Sequence, residues 1–243
     1  WQYFNQIKSN QEDILMAIKM NNQDWDRVET VFLDMDGTLM DLAFDNYFWH
    51  EYVPLIYSKS RGIEFDEAKS LLLEKYKNKK GTLNWYCTDY WSEQLDLKIA
   101  ELKRDIIDRV VLFPLVTEFL TWLRANKKRS RLLTNAHMDS VRIKMEKTGI
   151  ENMFDRIISS HTYGYAKEAD AFWPLLAQDE AHSPKNSLLI DDNIAVLQAA
   201  DHYGIEYLLS VGQPDKSLPE QDTGHFVGIN GFDEIVELTE LKG

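Results

Sequence analysis

The spacing of apolar and polar residues predicts strands that alternate with helices over most of the chain. Five short runs have the pattern of strands, at residues 30–33, 130–133, 156–159, 187–190 and 206–210. Between the last four runs, apolar residues recur at helical spacing over residues 139–148, 169–180 and 194–202. Strands alternating with helices are typical of a parallel sheet covered on both faces, so the sequence predicts an α/β fold.

Two glycines mark predicted helix ends. Gly149 follows the helical pattern of residues 139–148, and Gly204 follows that of residues 194–202. Glycine is common just beyond the last helical residue, because it adopts the left-handed conformation without a Cβ clash. We therefore expect both residues to terminate helices.

Residues 41–111 interrupt this alternation, because they contain no strand-like run. They contain amphipathic segments instead, such as NYFWHEYVPLIYSKS, FDEAKSLLLEKYKN and LNWYCTDYWSEQL. About 70 residues is too long for a loop in a compact domain. The sequence therefore predicts a small all-helical domain at 41–111, inserted after the first strand of a core made of residues 25–40 and 112–243.

A separate segment precedes that core. Apolar residues at Ile7, Ile14, Leu15 and Ile18 recur at loosely helical spacing within a polar stretch. This pattern predicts a short helical extension over residues 1–24, packed on the main body of the protein.

Composition narrows the class of protein and its partners. Apolar residues make up 44% of the 243 residues and aromatic residues 12%, which indicates a globular protein. The formal net charge of −13 disfavours nucleic acid and anionic membranes as partners, since both repel an acidic protein. The single cysteine, Cys87, excludes an internal disulfide and favours a reducing compartment such as the cytoplasm. An oligomeric state does not follow from the sequence.

Chemically reactive side chains follow four of the predicted strands. In an open parallel sheet, ligands bind beyond the carboxyl ends of the strands, so residues at these ends lie close together when the strands are neighbours. The residues concerned are Asp34 and Asp36 after the first strand, Thr134 and Asn135 after the second, Lys167 after the third, and Asp191 and Asp192 after the fourth.

This set of residue types suits a magnesium-dependent reaction of a phosphate ester. Clustered carboxylates repel one another unless a hard cation such as Mg²⁺ binds their oxygens. A lysine and the backbone amides of a glycine-containing turn bind phosphate oxygens. A carboxylate held against phosphorus, with metal and lysine neutralising charge, is a competent nucleophile, so one acid of the first pair attacks while the other transfers protons.

Other interpretations of the same residues are weaker. Asp34 and Asp36 match the first and third positions of a helix-loop-helix calcium site, but Leu39 stands where that loop needs glycine and Asp45 where it needs glutamate. Taken singly, the acid pair at 191–192 is typical of a surface turn or helix cap, and an isolated loop lysine is usually solvated. The order of all four motifs, each at a strand end, favours a catalytic site.

The four motifs resemble those of the haloacid dehalogenase-like hydrolase superfamily. They are LDMDGTL, LLTNA, Lys167 within GYAKEA, and LLIDDN. The resemblance implies a Rossmann-like parallel sheet flanked by helices, and the helical insert after the first motif resembles the helical cap that serves this family as a lid. Dehalogenases lack the second acid, so the presence of Asp36 disfavours dehalogenation.

A narrower resemblance, over about residues 25–215, is to the bacterial purine mononucleotidases of this superfamily, which act on GMP and IMP. It rests on LDMDGTLMDLAFDNYFW, LNWYCTDYWSEQL, LLTNAH and HTYGYAKE. The chain departs from the family at Glu168, where many relatives have proline. The implied function is a phosphomonoesterase for purine 5′-mononucleotides that forms an aspartyl-phosphate.

The resemblance also assigns roles to individual residues. It implies that Asp34 is the nucleophile and that Asp36 is the general acid and base. It implies a Mg²⁺ ion bound by Asp34, the backbone carbonyl of Asp36 and Asp192, with Asp191 assisting. It further implies that Thr134 and the amide of Asn135 bind phosphate oxygens and that Lys167 offsets their charge.

Several residues near the motifs are candidates for substrate binding. Trp49 and Trp85 offer flat surfaces on which a purine stacks, or they fill the core of the cap. Asp45 either forms a hydrogen bond to a base or sugar of the substrate or caps a helix. His137 and His161 flank the predicted site as structural hydrogen-bonding residues or as substrate contacts.

Two rival functions remain open at the level of sequence. One keeps the chemistry but changes the substrate to a small phosphate such as a sugar phosphate or phosphoglycolate. The other is a binding or scaffold protein that kept the fold and lost turnover. The second predicts a missing catalytic acid, and the sequence lacks none of them.

Overall fold

Six parallel strands form one sheet in the order β3-β2-β1-β4-β5-β6 in the computed structural model, which describes residues 20–235. The strands are β1 Thr30–Leu33, β2 Arg129–Thr134, β3 Arg156–Ser159, β4 Ser187–Asp191, β5 Tyr207–Val211 and β6 Val227–Ile229. The five predicted strands and the parallel α/β fold are confirmed, and β6 was missed. A three-residue edge strand that contains a glycine gives too short an apolar run to recognise.

Both faces of the sheet are covered by apolar side chains. Val31 and Leu33 of β1 pack into one buried cluster together with Ile190, whereas Phe32 packs into a second cluster with Leu133. Successive side chains of a strand point to opposite faces, so β1 contributes to both clusters and all four of its residues are buried. A central strand of this kind is held rigidly, which fixes the residues that follow it.

The described residues contain ten α-helices. They are α1 Asn22–Arg27, α2 Ala43–Tyr47, α3 Val53–Arg61, α4 Phe65–Lys77, α5 Thr88–Leu95, α6 Ile99–Asp105, α7 Val116–Ala125, α8 Met138–Thr148, α9 Phe172–Asp179 and α10 Ile194–Tyr203. Gly149 ends α8 with φ +72° and Gly204 ends α10 with φ +105°, so both predicted terminations are confirmed. α9 begins at Phe172 rather than at the predicted residue 169, because residues 167–171 form turns instead.

All regular secondary structure between residues 43 and 109 is helical. It comprises α2 to α6, a π-helix over Phe48–Tyr52 and 3₁₀ turns over Leu83–Tyr86 and Ile107–Arg109. This segment has its own buried apolar cluster, formed by Phe48, Val53, Leu72, Tyr76, Trp91, Leu95 and Ile99. The two connections to the sheet run side by side, since the Asp41 N–H donates to Val111 O at 3.0 Å. The division at residues 40 and 112 stays a prediction, and we use cap and core for the residues on either side of it.

The predicted helix around Ile7 to Ile18 lies outside the described residues. The first described helix, α1, crosses the predicted boundary at residue 24. Its Trp25 packs edge-on against Trp122 at 4.7 Å between ring centroids, and its indole N–H donates to Ile235 O at 2.8 Å. Within residues 20–235, no helix combines the length and the apolar character needed to cross a bilayer.

Candidate active site

The predicted site lies at the carboxyl edge of the central strands. β1 is paired in parallel with β2 on one side and β4 on the other. Asp34 directly follows β1, Thr134 ends β2 and Asp191 ends β4. The strand order reverses at β1, and loops on neighbouring strands diverge at such a switch point to leave a crevice for ligands.

Lys167 joins the acids of two strands. Its Nζ donates to Asp34 Oδ1 and to Asp191 Oδ2, both at 2.6 Å, and to the backbone carbonyl of Leu133 at 2.9 Å. The side chain is almost fully buried, so these acceptors replace its lost hydration. The Lys167 N–H donates to Asn135 Oδ1 at 2.8 Å, which anchors the loop after β3 to the loop after β2.

Three carboxylates surround the space beside this lysine. One oxygen from each of Asp34, Asp191 and Asp192 lies within 4.8 Å of the other two. Burial, together with the neighbouring Asp191 and Asp34 carboxylates, raises the pKa of Asp192 well above its usual range. Lys167 compensates only part of this charge. A cluster of hard oxygen donors with surplus negative charge fits a divalent cation, and hydrolases of the family to which the motifs point generally use one.

Gly37 allows the loop after β1 to approach the carboxylate cluster. Its φ is +83°, a conformation that residues with a side chain rarely adopt. A Cβ at this position would lie 2.6 Å from Asp192 Oδ2 and 2.9 Å from Pro214 Cβ. The glycine of the first motif is therefore required both for the turn and for contact with Asp192.

Asp36 belongs to a separate set of alternating charges, which we term the ion-pair chain. Its Oδ1 lies 2.5 Å from Lys144 Nζ, which lies 2.5 Å from Asp45 Oδ2, and Asp45 Oδ1 accepts from Lys103 Nζ at 2.8 Å. Burial and the Asp45 charge raise the pKa of Asp36 to about 6, against the opposing effect of Lys144. Burial also raises the pKa of Asp45, but Lys103 and Lys144 outweigh it and hold that pKa at about 2.

Lys144 and Lys103 are site residues that the sequence reasoning missed. Lys144 is 1% exposed although it lies in the middle of α8. The detectable signal was its position, since it is three residues after the buried Val141 and directly before the buried Met145. A lysine on the apolar face of a helix needs a buried acidic partner, and the pattern gives no information on which acid that is.

Glu168 connects the cap to the core. Its Oε1 accepts from the hydroxyl of Tyr86 at 2.6 Å and from Asn193 Nδ2 at 3.2 Å, and its Oε2 accepts from Asn135 Nδ2 at 2.8 Å. Tyr86 belongs to the cap, whereas the other donors follow β2 and β4. Glu168 thus has a structural role at the boundary between cap and core.

A cavity of about 570 Å³ lies between the cap and these loops. Ten of the residues proposed from the sequence line it, namely Asp34, Asp36, Asp45, Trp49, Trp85, Thr134, Asn135, Lys167, Asp191 and Asp192, whereas the candidates His137 and His161 are not among its lining residues. Their roles stay predictions. Both Asp45 oxygens accept from lysines of the ion-pair chain. The Asp36 carboxylate bonds Lys144 and is not one of the three clustered carboxylates, so the metal contact proposed for Asp36 concerns its carbonyl.

Comparison with known proteins identifies the family to which this fold and site belong. The family model of haloacid dehalogenase-like hydrolases matches residues 28–204. The chain therefore belongs to the haloacid dehalogenase-like hydrolase family, as its four motifs predicted. An enzyme of hydrolase type is thereby confirmed.

Two curated relatives are similar over most of the chain. The GMP/IMP nucleotidase YrfG of Escherichia coli (strain K12) is 41% identical over 212 residues, which cover 87% of this chain and 96% of the relative. The protein of the same name in Shigella flexneri matches with the same values. These relatives support a phosphoric monoester hydrolase.

Solved structures share the fold at low identity. A HAD phosphatase from Thermococcus onnurineus has a TM-score of 0.69 at 20% identity and covers 88% of this chain and 96% of its own. L-2-haloacid dehalogenase from Xanthobacter autotrophicus has a TM-score of 0.54 at 16% identity, with coverage of 78% and 80%. These similarities confirm the Rossmann-like core, and they apply to the fold alone.

Proposed function

We propose that the protein is a Mg²⁺-dependent phosphomonoesterase that hydrolyses purine 5′-mononucleotides, GMP and IMP, to nucleoside and phosphate. The observation that supports this best is Lys167, which bridges Asp34 and Asp191 at 2.6 Å each beside a three-carboxylate cluster. A nucleophile, its counter-charge and a set of oxygen donors are thus together at the base of one cavity.

Asp34, Asp192 and the carbonyl of Asp36 would hold the Mg²⁺ ion, with Asp191 nearby. When bound, the ion neutralises charge on the phosphate and on the carboxylates. A cation fits this position because its positive charge offsets the burial and the repulsion from Asp191 and Asp34 that raise the pKa of Asp192.

The first half of the reaction transfers the phosphoryl group to Asp34. A carboxylate oxygen of Asp34 attacks phosphorus, and the bond from phosphorus to the ribose 5′ oxygen breaks. The protonated Asp36 carboxyl donates its proton to that oxygen, so a neutral nucleoside leaves. A pKa raised to about 6 by burial and Asp45 keeps part of the Asp36 population protonated near neutral pH.

The second half releases phosphate. The Asp36 carboxylate now accepts a proton from a water molecule, whose oxygen attacks phosphorus and breaks the bond to Asp34. The hydroxyl group of Thr134, at the end of β2, donates a hydrogen bond to a phosphate oxygen. Lys167 offsets charge on Asp34 and on the phosphate throughout.

Substrate choice would lie with the cap side of the cavity. Trp49 and Trp85 line this side and offer aromatic surfaces to a purine. The cavity volume is within the usual range of about 300–1,000 Å³ for small-molecule sites, which suits a mononucleotide. The curated relatives are described as GMP/IMP nucleotidases, which supports the same substrates.

The proposal is tested by measuring phosphate release from GMP, IMP, ribose 5-phosphate and phosphoglycolate, each with Mg²⁺ and with EDTA. We expect kcat/KM to be highest for GMP and IMP and turnover to stop with EDTA. If kcat/KM is higher for ribose 5-phosphate or phosphoglycolate than for GMP and IMP, that compound and not a nucleotide is the better substrate. Absence of Mg²⁺-dependent hydrolysis across all four would overturn the proposed Mg²⁺-dependent phosphomonoesterase activity.

A further inference from the structure

A second group of metal-ligating side chains lies outside the cavity lining. One ligand atom from each of Cys87, His137 and His161 lies within 4.8 Å of the other two. Cys87 precedes α5 of the cap, whereas His137 and His161 lie in the core loops after β2 and β3. Three distant parts of the sequence thus bring a thiol and two imidazoles to one point.

His161 has the state that a metal ligand needs. Its Nε2 is buried and makes no hydrogen bond to any described residue. A hydrogen bond between the ring and the Asn135 backbone leaves this other ring nitrogen available as a metal ligand.

His137 is oriented in a similar way. Its Nδ1 lies 2.8 Å from Thr88 Oγ1, which leaves Nε2 on the other side of the ring. Asp89 Oδ2 lies 3.6 Å from that Nε2. Asp89 forms a separate group with His137 and Asp139, so the three ligands Cys87, His137 and His161 leave one position of a tetrahedral zinc ion open to water.

We propose that Cys87, His137 and His161 form a binding site for a zinc-type divalent transition metal at the boundary between cap and core. Thiolate and imidazole select Zn²⁺ and similar ions, whereas the all-oxygen cluster of Asp34, Asp191 and Asp192 suits Mg²⁺. The two sites therefore bind different ions.

The location gives this site a consequence for the cap. One ligand, Cys87, comes from the cap and two come from core loops, so a bound ion links the two parts at a point next to Tyr86 and Asn135. Occupation holds the cap on the core and opposes its opening. Micromolar Zn²⁺ is then expected to slow turnover while excess Mg²⁺ keeps the catalytic cluster filled.

Cobalt spectroscopy tests the site without relying on activity. Metal-free protein in excess Mg²⁺ is titrated with Co²⁺, and near-ultraviolet absorption from thiolate-to-cobalt charge transfer is recorded. We expect this band to saturate at one equivalent of Co²⁺ and to disappear on addition of Zn²⁺, which binds more tightly. Oxygen ligands alone do not produce the band, so the catalytic cluster does not mimic it.

Variants assign the ligands. His161→Ala and His161→Gln are expected to weaken Co²⁺ binding at least about 100-fold, since even residues that only orient a ligand contribute 10–100-fold. The matched control His202→Ala removes an exposed histidine of α10 and should leave the titration unchanged. Asp34→Asn should also retain the thiolate band, which separates this site from the proposed catalysis.

Two results would overturn the proposal. One is a wild-type protein that shows no thiolate band at one equivalent of Co²⁺. The other is a folded His161 variant, verified by circular dichroism, that binds Co²⁺ with unchanged affinity and spectrum. The wild-type titration decides the matter by itself when neither variant folds.

Discussion

Lys144 of the core and Asp45 of the cap form a buried ion pair with 2.5 Å between Nζ and Oδ2. The same ammonium group contacts Asp36 at 2.5 Å, so the proposed general acid is held by a cation whose other partner lies on the cap. Displacing the cap would remove Asp45 from Lys144 and alter the environment of Asp36. The ion-pair chain thus couples the position of the cap to the carboxyl group proposed as the general acid.

Lys144→Met should lower kcat about 10- to 100-fold with a smaller change in KM. The substitution preserves the side-chain volume but leaves Asp36 without the cation that orients it, and general acid catalysis contributes about 10²- to 10⁴-fold in all. Breaking a buried ion pair also destabilises the fold, by about 3 kcal/mol. Steady-state kinetics on GMP and urea unfolding measure both effects.

Lys147→Met is the matched control on the same helix. Lys147 pairs with Asp108, whose side chain is 93% exposed, so its loss should change neither kcat nor stability appreciably. Lys144→Arg retains the charge and should recover part of kcat. Equal kcat values for Lys144→Met and the wild type would exclude a positioning role.

Asp34→Asn should abolish phosphate release. The amide is isosteric with the carboxylate but is not a nucleophile, and it cannot form an aspartyl-phosphate. Asp26→Asn, an exposed position on α1, serves as the control and should be fully active. Substantial turnover by purified Asp34→Asn protein would refute the covalent mechanism.

Tyr86→Phe should raise KM for GMP about tenfold and leave kcat nearly unchanged. The substitution removes the cap hydroxyl that donates to Glu168 Oε1 of the core at 2.6 Å. A hydrogen bond to a charged group contributes about 1.5 kcal/mol or more, here to the contact of cap and core that encloses the substrate. Tyr165→Phe changes an exposed tyrosine and should have no effect. An unchanged KM in Tyr86→Phe would show that this contact does not assist substrate binding.

Trp49→Ala and Trp85→Ala should raise KM for GMP but not for ribose 5-phosphate. Stacking of a base on an aromatic side chain contributes about 1–3 kcal/mol, which corresponds to about 5- to 100-fold in affinity. Ribose 5-phosphate is the internal control, because it shares the phosphate and sugar but has no base. The stacking hypothesis fails if both variants bind GMP as the wild type does.

Stability should fall as pH decreases below the ordinary histidine pKa of about 6.5, in part because of His182. Burial lowers the pKa of this ring, which packs edge-on against Phe32 at 5.0 Å. Between the two pKa values the unfolded chain binds a proton that the folded chain does not, so protonation favours unfolding. Above the ordinary pKa neither state is protonated at His182, and the effect vanishes.

Urea unfolding at pH 7.5 and 5.5 measures this contribution. His182→Gln should lose less stability between these pH values than the wild type loses. The exposed His202→Gln should behave as the wild type does. An identical pH dependence in His182→Gln would contradict the assignment.

The strands illustrate what local pattern predicts well and where it fails. Residues 30–33 were predicted correctly because Val31, Phe32 and Leu33 are consecutive apolar residues, as expected of a strand that is buried on both faces. Strand β6 escaped notice because its burial depends on pairing with β5 rather than on its own composition. The aromatic residues of the cap show the same dependence, since Trp91 is buried in the cap cluster while Trp85 lines the cavity, although both lie within one short motif.

The sequence by itself determined the alternation of strands and helices, the helical insert and the set of acids at strand ends, because these features depend on residues that are near one another in the chain. Only the tertiary structure decided that Lys144 pairs with Asp36 and Asp45, that Glu168 accepts from Tyr86, and that Cys87 meets His137 and His161. Each of these contacts joins residues 50 to 108 positions apart. Their formation depends on how cap and core pack, and no local spacing encodes that arrangement.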